Sequence, residues 1–259
     1  MTFVTAALTG GLANRIFIIH AAITYAKNTK RKFVLVQKLI INNAHESNQT
    51  TLSSLEALFG KFAYYTNDDY QSWKYVRDPK QNAFAFENPP MYLGESVIFE
   101  GYFQSPKYFL PSPSVPLEVT KKPNTYFIHI RLGDYCNTPI YQIPLKAYYS
   151  EAIMQITEND IHAKFLVFSN ENTKAQTYIT ENIKVPFDYT FSQTESAIDT
   201  LKEMASCAGG ICANSSLSWM GAYYQAEPRS NIYMPDQWIV PNPIPLDIYP
   251  DWATVIKSE

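Results

Sequence analysis

The spacing of apolar positions changes character several times in the first forty residues. Phe3 to Leu8 is apolar but for Thr5, Gly10-Gly11 breaks the run, and Leu12, Ile16, Ile19 and Ile23 then recur at helical spacing as far as Lys27. A polar turn at Asn28 to Lys30 leads into Lys32 to Val36, a run suited to a buried strand, so this stretch predicts a βαβ unit. From Ile41 to Pro90 no period persists, and only a short helix at Leu52 to Phe59 is predicted. Val97 to Glu100 predicts another strand, followed by a turn through Gly101 to Pro106.

Pro111, Pro113 and Pro116 alternate with small residues in a run that resists helix and central strand, and the domain boundary is placed there, giving domains 1–115 and 116–259. Beyond it the pattern becomes regular. Strands are predicted at Tyr126–Arg131, Phe165–Phe168, Phe187–Thr190, Gly210–Ala213 and Asn231–Met234. Helices are predicted between them at Lys146–Thr157, Asn172–Asn182, Glu195–Ala205 and Ser215–Gln225. Such alternation implies an α/β fold with a parallel sheet covered on both faces.

Composition narrows the function. With 46% hydrophobic and 17% charged residues the chain has apolar surface enough for real cores, and a net charge of -3 gives no global field for nucleic acid. Cys136, Cys207 and Cys212 are too few for a disulfide framework or a four-ligand zinc site. The start lacks a signal peptide's basic flank and long apolar run, and no stretch of about 18 apolar residues occurs. The expectation is a soluble cytoplasmic protein without a transmembrane segment, free in solution or peripheral to a membrane.

In an open parallel sheet, ligands sit beyond the carboxyl ends of the strands. Arg131 leaves the strand Tyr126–Arg131 there, its planar donors suited to phosphate oxygens, with Asp134 either its partner in the turn or a group of the site. His129, two residues earlier, shares its side of the strand or serves as a hydrogen-bonded core residue. Asn214-Ser215-Ser216 starts a helix after a buried strand, where unpaired amides and the dipole favour an anion; simple capping is the other reading. Gly10-Gly11 with Asn14 and Arg15 turns from the first strand into its helix without the full glycine fingerprint of a dinucleotide site. Asp68-Asp69 reads as a solvated loop.

Four segments together resemble the inverting α-1,2-fucosyltransferases, glycosyltransferase family 11. Gly10-Gly11-Leu12-Ala13-Asn14-Arg15 is similar to the family's opening segment, and Gly101-Tyr102-Phe103-Gln104-Ser105-Pro106 to its Gly-Tyr-Phe-Gln-Ser region. His129-Ile130-Arg131-Leu132-Gly133-Asp134-Tyr135 resembles its His-x-Arg-Arg-Gly-Asp-Tyr motif, and Asp199 to Gly221 its long carboxyl-terminal motif. The resemblance implies a GT-B-like fold, two Rossmann-like domains facing a cleft, the first on the acceptor side and the second binding the GDP-sugar. It also implies transfer of fucose from GDP-fucose to a galactosyl-type glycan, first choice the galactose 2-OH, with inversion, no metal and no cofactor.

On that resemblance Arg131 stabilises the departing β-phosphate, Asp134 orients it, and Asn14 orients an acceptor hydroxyl or a donor phosphate. Donor contacts are assigned to His129, Arg131, Asn170, Asn214, Ser215, Ser216, Gly10 and Gly11, with helix capping the other reading of Asn170. Acceptor-side contacts are assigned to Arg15, Tyr102 and Gln104. The chain departs from the family at Leu132, in place of a second arginine, and at Ala13, Arg15 and Met220, in place of glycine, glutamine and tryptophan. Those departures keep a transferase of another GDP-deoxyhexose open as an alternative; a catalytically silent glycan- or nucleotide-binding protein on the same fold is a second, which loss of Arg131 would have favoured.

Overall fold

The computed structural model describes residues 1–41, 47–79, 82–110, 112–113, 116–225, 227–243 and 245–259, so Pro111, Ser114 and Val115 of the boundary run lie outside the described residues. The chain divides into two compact units, Met1–Val115 with Ile244–Ile248, and Pro116–Pro243 with Tyr249–Glu259. The return of Ile244–Ile248 to the first unit had no signal in the sequence. Its Asp247 is held in that unit by the Phe86 amide at 2.9 Å and the Lys107 ammonium at 2.5 Å.

The first unit opens with β1 (Phe3–Ala6), α1 (Leu12–Asn28), β2 (Lys32–Phe33) and β3 (Leu35–Val36). The single strand predicted over Lys32 to Val36 is thus two. The Val34 amide donates to the Val4 carbonyl at 2.9 Å and the Leu35 amide to that of Ala63 at 2.8 Å, so successive residues serve different neighbours. Next come α2 (Asn48–Phe59), β4 (Tyr64–Tyr65), β5 (Lys74–Arg77) and β6 (Val97–Glu100). The helix predicted from Leu52 starts earlier because Ser47 caps it, its hydroxyl accepting from the Thr50 amide at 3.1 Å. Strands pair in the order β2-β1-β6-β5, all parallel, with β3 and β4 forming a separate pair. In α1, Ile16, Phe17, Ile18, Ile19 and Ala22 are all buried, wider than the single stripe of a surface helix.

The second unit contains β7 (Lys122–Ile130), α3 (Lys146–Asn159), β8 (Lys164–Ser169), α4 (Asn172–Asn182), β9 (Tyr189–Phe191), α5 (Ala197–Ser206) and β10 (Cys207–Ile211). It ends with α6 (Ser216–Tyr223), β11 (Ile232–Pro235) and β12 (Thr254–Ile256). Six parallel strands lie in the order β12-β11-β10-β7-β8-β9. Ile128 and Ile130 of β7 pack with Tyr149, Ile153 and Ile156 of α3 and Ile179 of α4. Two α3 tyrosines fix that helix to the sheet: the Tyr149 hydroxyl donates to the His129 carbonyl at 2.7 Å, and the Tyr148 hydroxyl lies 2.7 Å from the Cys212 carbonyl.

Each unit carries a histidine inside its core. His20 on α1 lies between the rings of Phe59 and Phe109, at 4.8 and 5.4 Å, and burial lowers its pKa to about 3. His129 on β7 is lowered to about 3 by burial and by the neighbouring Arg131 charge. Both are therefore neutral when folded and take up a proton near pH 6.5 only on unfolding. Their stabilisation is complete above about pH 6.5 and is lost as pH falls toward about 3, at roughly 1 kcal/mol each between about pH 7 and 5.5. Urea midpoints should fall across that window, and a His20→Phe, His129→Phe double variant should flatten the dependence; an unchanged slope in that variant would assign it to other groups.

Candidate active site

Register brings two of the sequence motifs together at one edge of the second sheet. Ile128 of β7 pairs with Ile211 of β10, so Arg131 and Asn214 follow side by side as the chain leaves the two strands. Both line a cavity of about 350 Å³, whose wall includes Leu132, Tyr135, Cys136 and Tyr141. The Arg131 Nη2 contacts Asp134 Oδ1 at 2.7 Å, and the guanidinium carbon lies 5.3 Å from the centre of the Tyr135 ring. Its Nε is buried without a hydrogen-bond partner among the described residues. A buried cationic donor left unmatched is costly, and an anion at the site would satisfy it.

Tyr135 joins this cation to the next motif. Burial raises its hydroxyl to about 12, so it remains a donor, and it bonds the Asn214 carbonyl at 3.2 Å and also interacts with the Ser215 side chain. The ring also stacks on Tyr141, with centroids 4.5 Å apart. Ser215 caps α6, its hydroxyl accepting from the Leu217 amide at a long 3.4 Å, and half-buried Ser216 opens the helix. The first amides of that helix have no intrahelical partner and carry the positive end of its dipole. A guanidinium and a helix start thus lie within reach of one tyrosine. Spacing alone gave Tyr135 no role, although it closes the motif.

The structure gives several expected donor ligands a different place. His129 is buried beneath Arg131, neutral, with Nδ1 unpartnered among the described residues. Asn214 spends its amide nitrogen on the carbonyls of Tyr141, at 3.2 Å, and Trp238, at 3.0 Å, and so pins loops instead of offering a donor. Asn170, at the end of β8, accepts from the Leu132 amide at 3.2 Å and backs the turn at Gly133. Gly133 has φ +57, and a Cβ there would lie 2.1 Å from Asn170 Nδ2, which explains the glycine between Arg131 and Asp134.

In the first unit the ends of β1 and β6 bring Asn14 and Gln104 together, the Gln104 Nε2 donating to Asn14 Oδ1 at 2.9 Å across 90 residues of sequence. Arg15, expected on the acceptor side, is fully buried. Its Nε donates to the Gly10 carbonyl at 2.9 Å and Nη2 to that of Ile41 at 2.6 Å, so its charge braces the loop from within. Tyr102 remains partly exposed. Asp78, just past β5, has no counterpart in the sequence reading. Its Oδ2 accepts the amides of Tyr102 at 2.7 Å and Phe103 at 3.3 Å, burial raises its pKa, and Phe103 is held at φ 50. Gly101 at φ +143 passes so close that a Cβ would lie 2.2 Å from Asp78 Oδ1. Asp68 and Asp69 stay exposed, paired with Lys38 and the Tyr65 hydroxyl.

Residues 114–237 match the family model for glycosyl transferase family 11. An α-1,2-colitosyltransferase of Escherichia coli is 26% identical over 163 residues, covering 55% of this chain and 56% of the relative. The E. coli O-antigen biosynthesis glycosyltransferase WbnK is 29% identical over 131 residues, covering 48% and 42%. The matched region spans about half the length of these relatives. Among solved structures, the fucosyltransferase NodZ from Bradyrhizobium gives a TM-score of 0.48 at 10% identity, over 85% of this chain and 92% of its own. The E. coli heptosyltransferase WaaC with ADP gives 0.47 at 11%, over 99% and 93%, and neither score is high enough to carry an argument. The motifs around Arg131 and Ser215 fall inside the matched stretch, so the similarity to glycosyl transferase family 11 covers residues 114–237 and includes the site described above.

Proposed function

We propose that this chain is a metal-independent, inverting glycosyltransferase that moves L-fucose from GDP-fucose to a glycan hydroxyl, the 2-OH of galactose being the first choice. The observation that carries the reading is the unpartnered Nε of Arg131, placed with Tyr135 between it and the start of α6. A diphosphate set there takes the free guanidinium donor on one side and the first amides of α6, with the Ser216 hydroxyl, on the other. Each charge-assisted bond of this kind contributes roughly 1.5 to 3 kcal/mol.

In the transfer, the bond from the sugar anomeric carbon to the β-phosphate oxygen breaks while one forms to the acceptor oxygen on the opposite face, GDP leaves, and the acceptor hydroxyl releases its proton to solvent. Negative charge grows on the departing phosphate and the ring becomes oxocarbenium-like, so a donor aimed at that phosphate lowers the barrier. Asp134 keeps Arg131 oriented at 2.7 Å, in keeping with a positioning role. Asn14, joined to Gln104, is assigned to orient the acceptor hydroxyl or a donor phosphate. Charge neutralisation is assigned to Arg131 and the start of α6; among the described residues no group of three or more His, Cys, Asp or Glu is placed to hold a metal ion.

A second reading shares the site and changes the donor. The colitosyltransferase among the relatives favours a different GDP-deoxyhexose, and Leu132 in place of a second arginine leaves the wall of the cavity more apolar. Localisation in the cytoplasm fits a nucleotide-sugar substrate, and no helix among the described residues is long and apolar enough to cross a membrane.

Arg131→Ala should lower turnover at least about a hundredfold with the thermal midpoint kept, the scale of losing one transition-state donor; turnover like that of the unaltered protein would remove Arg131 from the mechanism. GDP should raise the thermal midpoint and UDP should not, and stabilisation by UDP alone would defeat the donor assignment. Activity should persist in excess chelator, whereas abolition reversed by manganese or magnesium would contradict the metal-free reading.

A further inference from the structure

On the first unit, a cluster of cations and two bare apolar side chains share one edge. Lys27, Lys30, Arg31 and Lys32 place four cations within six residues, and the sequence holds no aspartate or glutamate before Glu46. Lys27, Lys30 and Lys32 are exposed and Arg31 half-buried, so the charges are presented outward in a chain whose net charge is -3. They span the last turn of α1 and the start of β2.

The loop before β6 is fastened to that turn. The Tyr25 hydroxyl donates to the Pro90 carbonyl at 3.0 Å, and the Arg31 guanidinium donates to the carbonyl of Tyr92. Met91 and Leu93, on either side of the anchored Tyr92, are 68% and 83% exposed. The nearby carboxylate of Glu95 lies 3.9 Å from Lys74 and is thereby matched. Strands start at this edge, where the Phe3 amide donates to Ser96 Oγ at 2.9 Å, whereas Asn14, Asp78 and Gln104 lie past the strand ends at the opposite edge.

We infer that the edge formed by Lys27, Lys30, Arg31, Lys32, Met91 and Leu93 docks on the surface of an anionic lipid bilayer. The lysines and arginine meet the headgroups, each contributing about a fivefold gain near an anionic surface. Met91 and Leu93 enter the boundary of the acyl region, as exposed apolar side chains beside a basic stretch do in interfacial segments. A polyanion such as nucleic acid would attract the cations but gain nothing from two aliphatic side chains. Docking by this edge leaves Asn14 and Gln104 on the aqueous side of their unit, so membrane binding is separable from activity and does not rest on the proposed reaction.

Co-sedimentation of the full chain tests this. Vesicles of phosphatidylcholine mixed with phosphatidylglycerol should carry the protein down and vesicles of phosphatidylcholine alone should not, with binding weakened by salt. Lys30→Glu with Lys32→Glu should lower the partition coefficient at least about twentyfold. Met91→Ser with Leu93→Ser should lower it severalfold while keeping the salt dependence, each variant retaining the thermal midpoint. Equal binding to both vesicle types would overturn the inference. So would a Met91, Leu93 variant that binds like the unaltered protein, or one whose duplex DNA binding matches its vesicle binding, because the edge would then be a plain polyanion site.

Discussion

Arg131 sets the requirement that the second unit is built to meet. A guanidinium at the end of a buried strand must be held against collapse onto the nearest carbonyls, yet keep a donor for a ligand. Asp134 takes one nitrogen, the guanidinium carbon lies over the Tyr135 ring at 5.3 Å from its centre, and Nε remains without a partner among the described residues. Each supporting group has its own support: Tyr135 bonds the chain at Asn214, Asn214 bonds the loops at Tyr141 and Trp238, and Asn170 backs the turn that only glycine fits. The site therefore rests on one ion pair, Arg131 with Asp134, that the surrounding neutral groups hold in place.

This explains why some residues were legible from sequence and others were misplaced. Apart from β12, the strands and helices of the second unit follow a strong period and match the expected bounds to within a few residues, because the helices bury one face on a parallel sheet whose strands are covered on both. β4, β5 and β12 are two to four residues long and show no period, so they were missed. The motif residues were visible as chemistry, but spacing does not tell a ligand from the residue that holds a ligand's neighbour. Asn214 looked like a donor because its type caps helices; its side chain instead reaches sideways to carbonyls that are 73 and 24 residues away in sequence. Asp78 was illegible for the same reason, since its partners at Tyr102 and Phe103 are brought to it by the pairing of β5 with β6.

The first unit shows a parallel economy. Its two loops with family resemblance are joined by the Gln104–Asn14 hydrogen bond, and each is braced from beneath by a charge: Arg15 under the Gly10 loop and Asp78 under the Gly101 loop. Opposite charges serve equivalent purposes because one loop turns carbonyls inward and the other turns amides inward. Arg15, which the resemblance sets opposite a glutamine, is thus accounted for by packing: its fork reaches the Ile41 carbonyl as well as that of Gly10.

Leu132 completes the argument about the departures. Where the resemblance implies a second arginine, the leucine packs against the core of the second unit while its backbone amide bonds Asn170. The turn geometry therefore survives the loss of the cation, since that geometry depends on the backbone and on Gly133 and not on the side chain at 132. What changes is the field. In the proposed reaction, with one guanidinium in place of two, neutralisation of a departing diphosphate would fall on Arg131 and on the dipole of α6, and those two lie close enough for Tyr135 to touch both. A site reduced to one cation depends more heavily on how rigidly that cation is held, which is the property the surrounding hydrogen bonds supply.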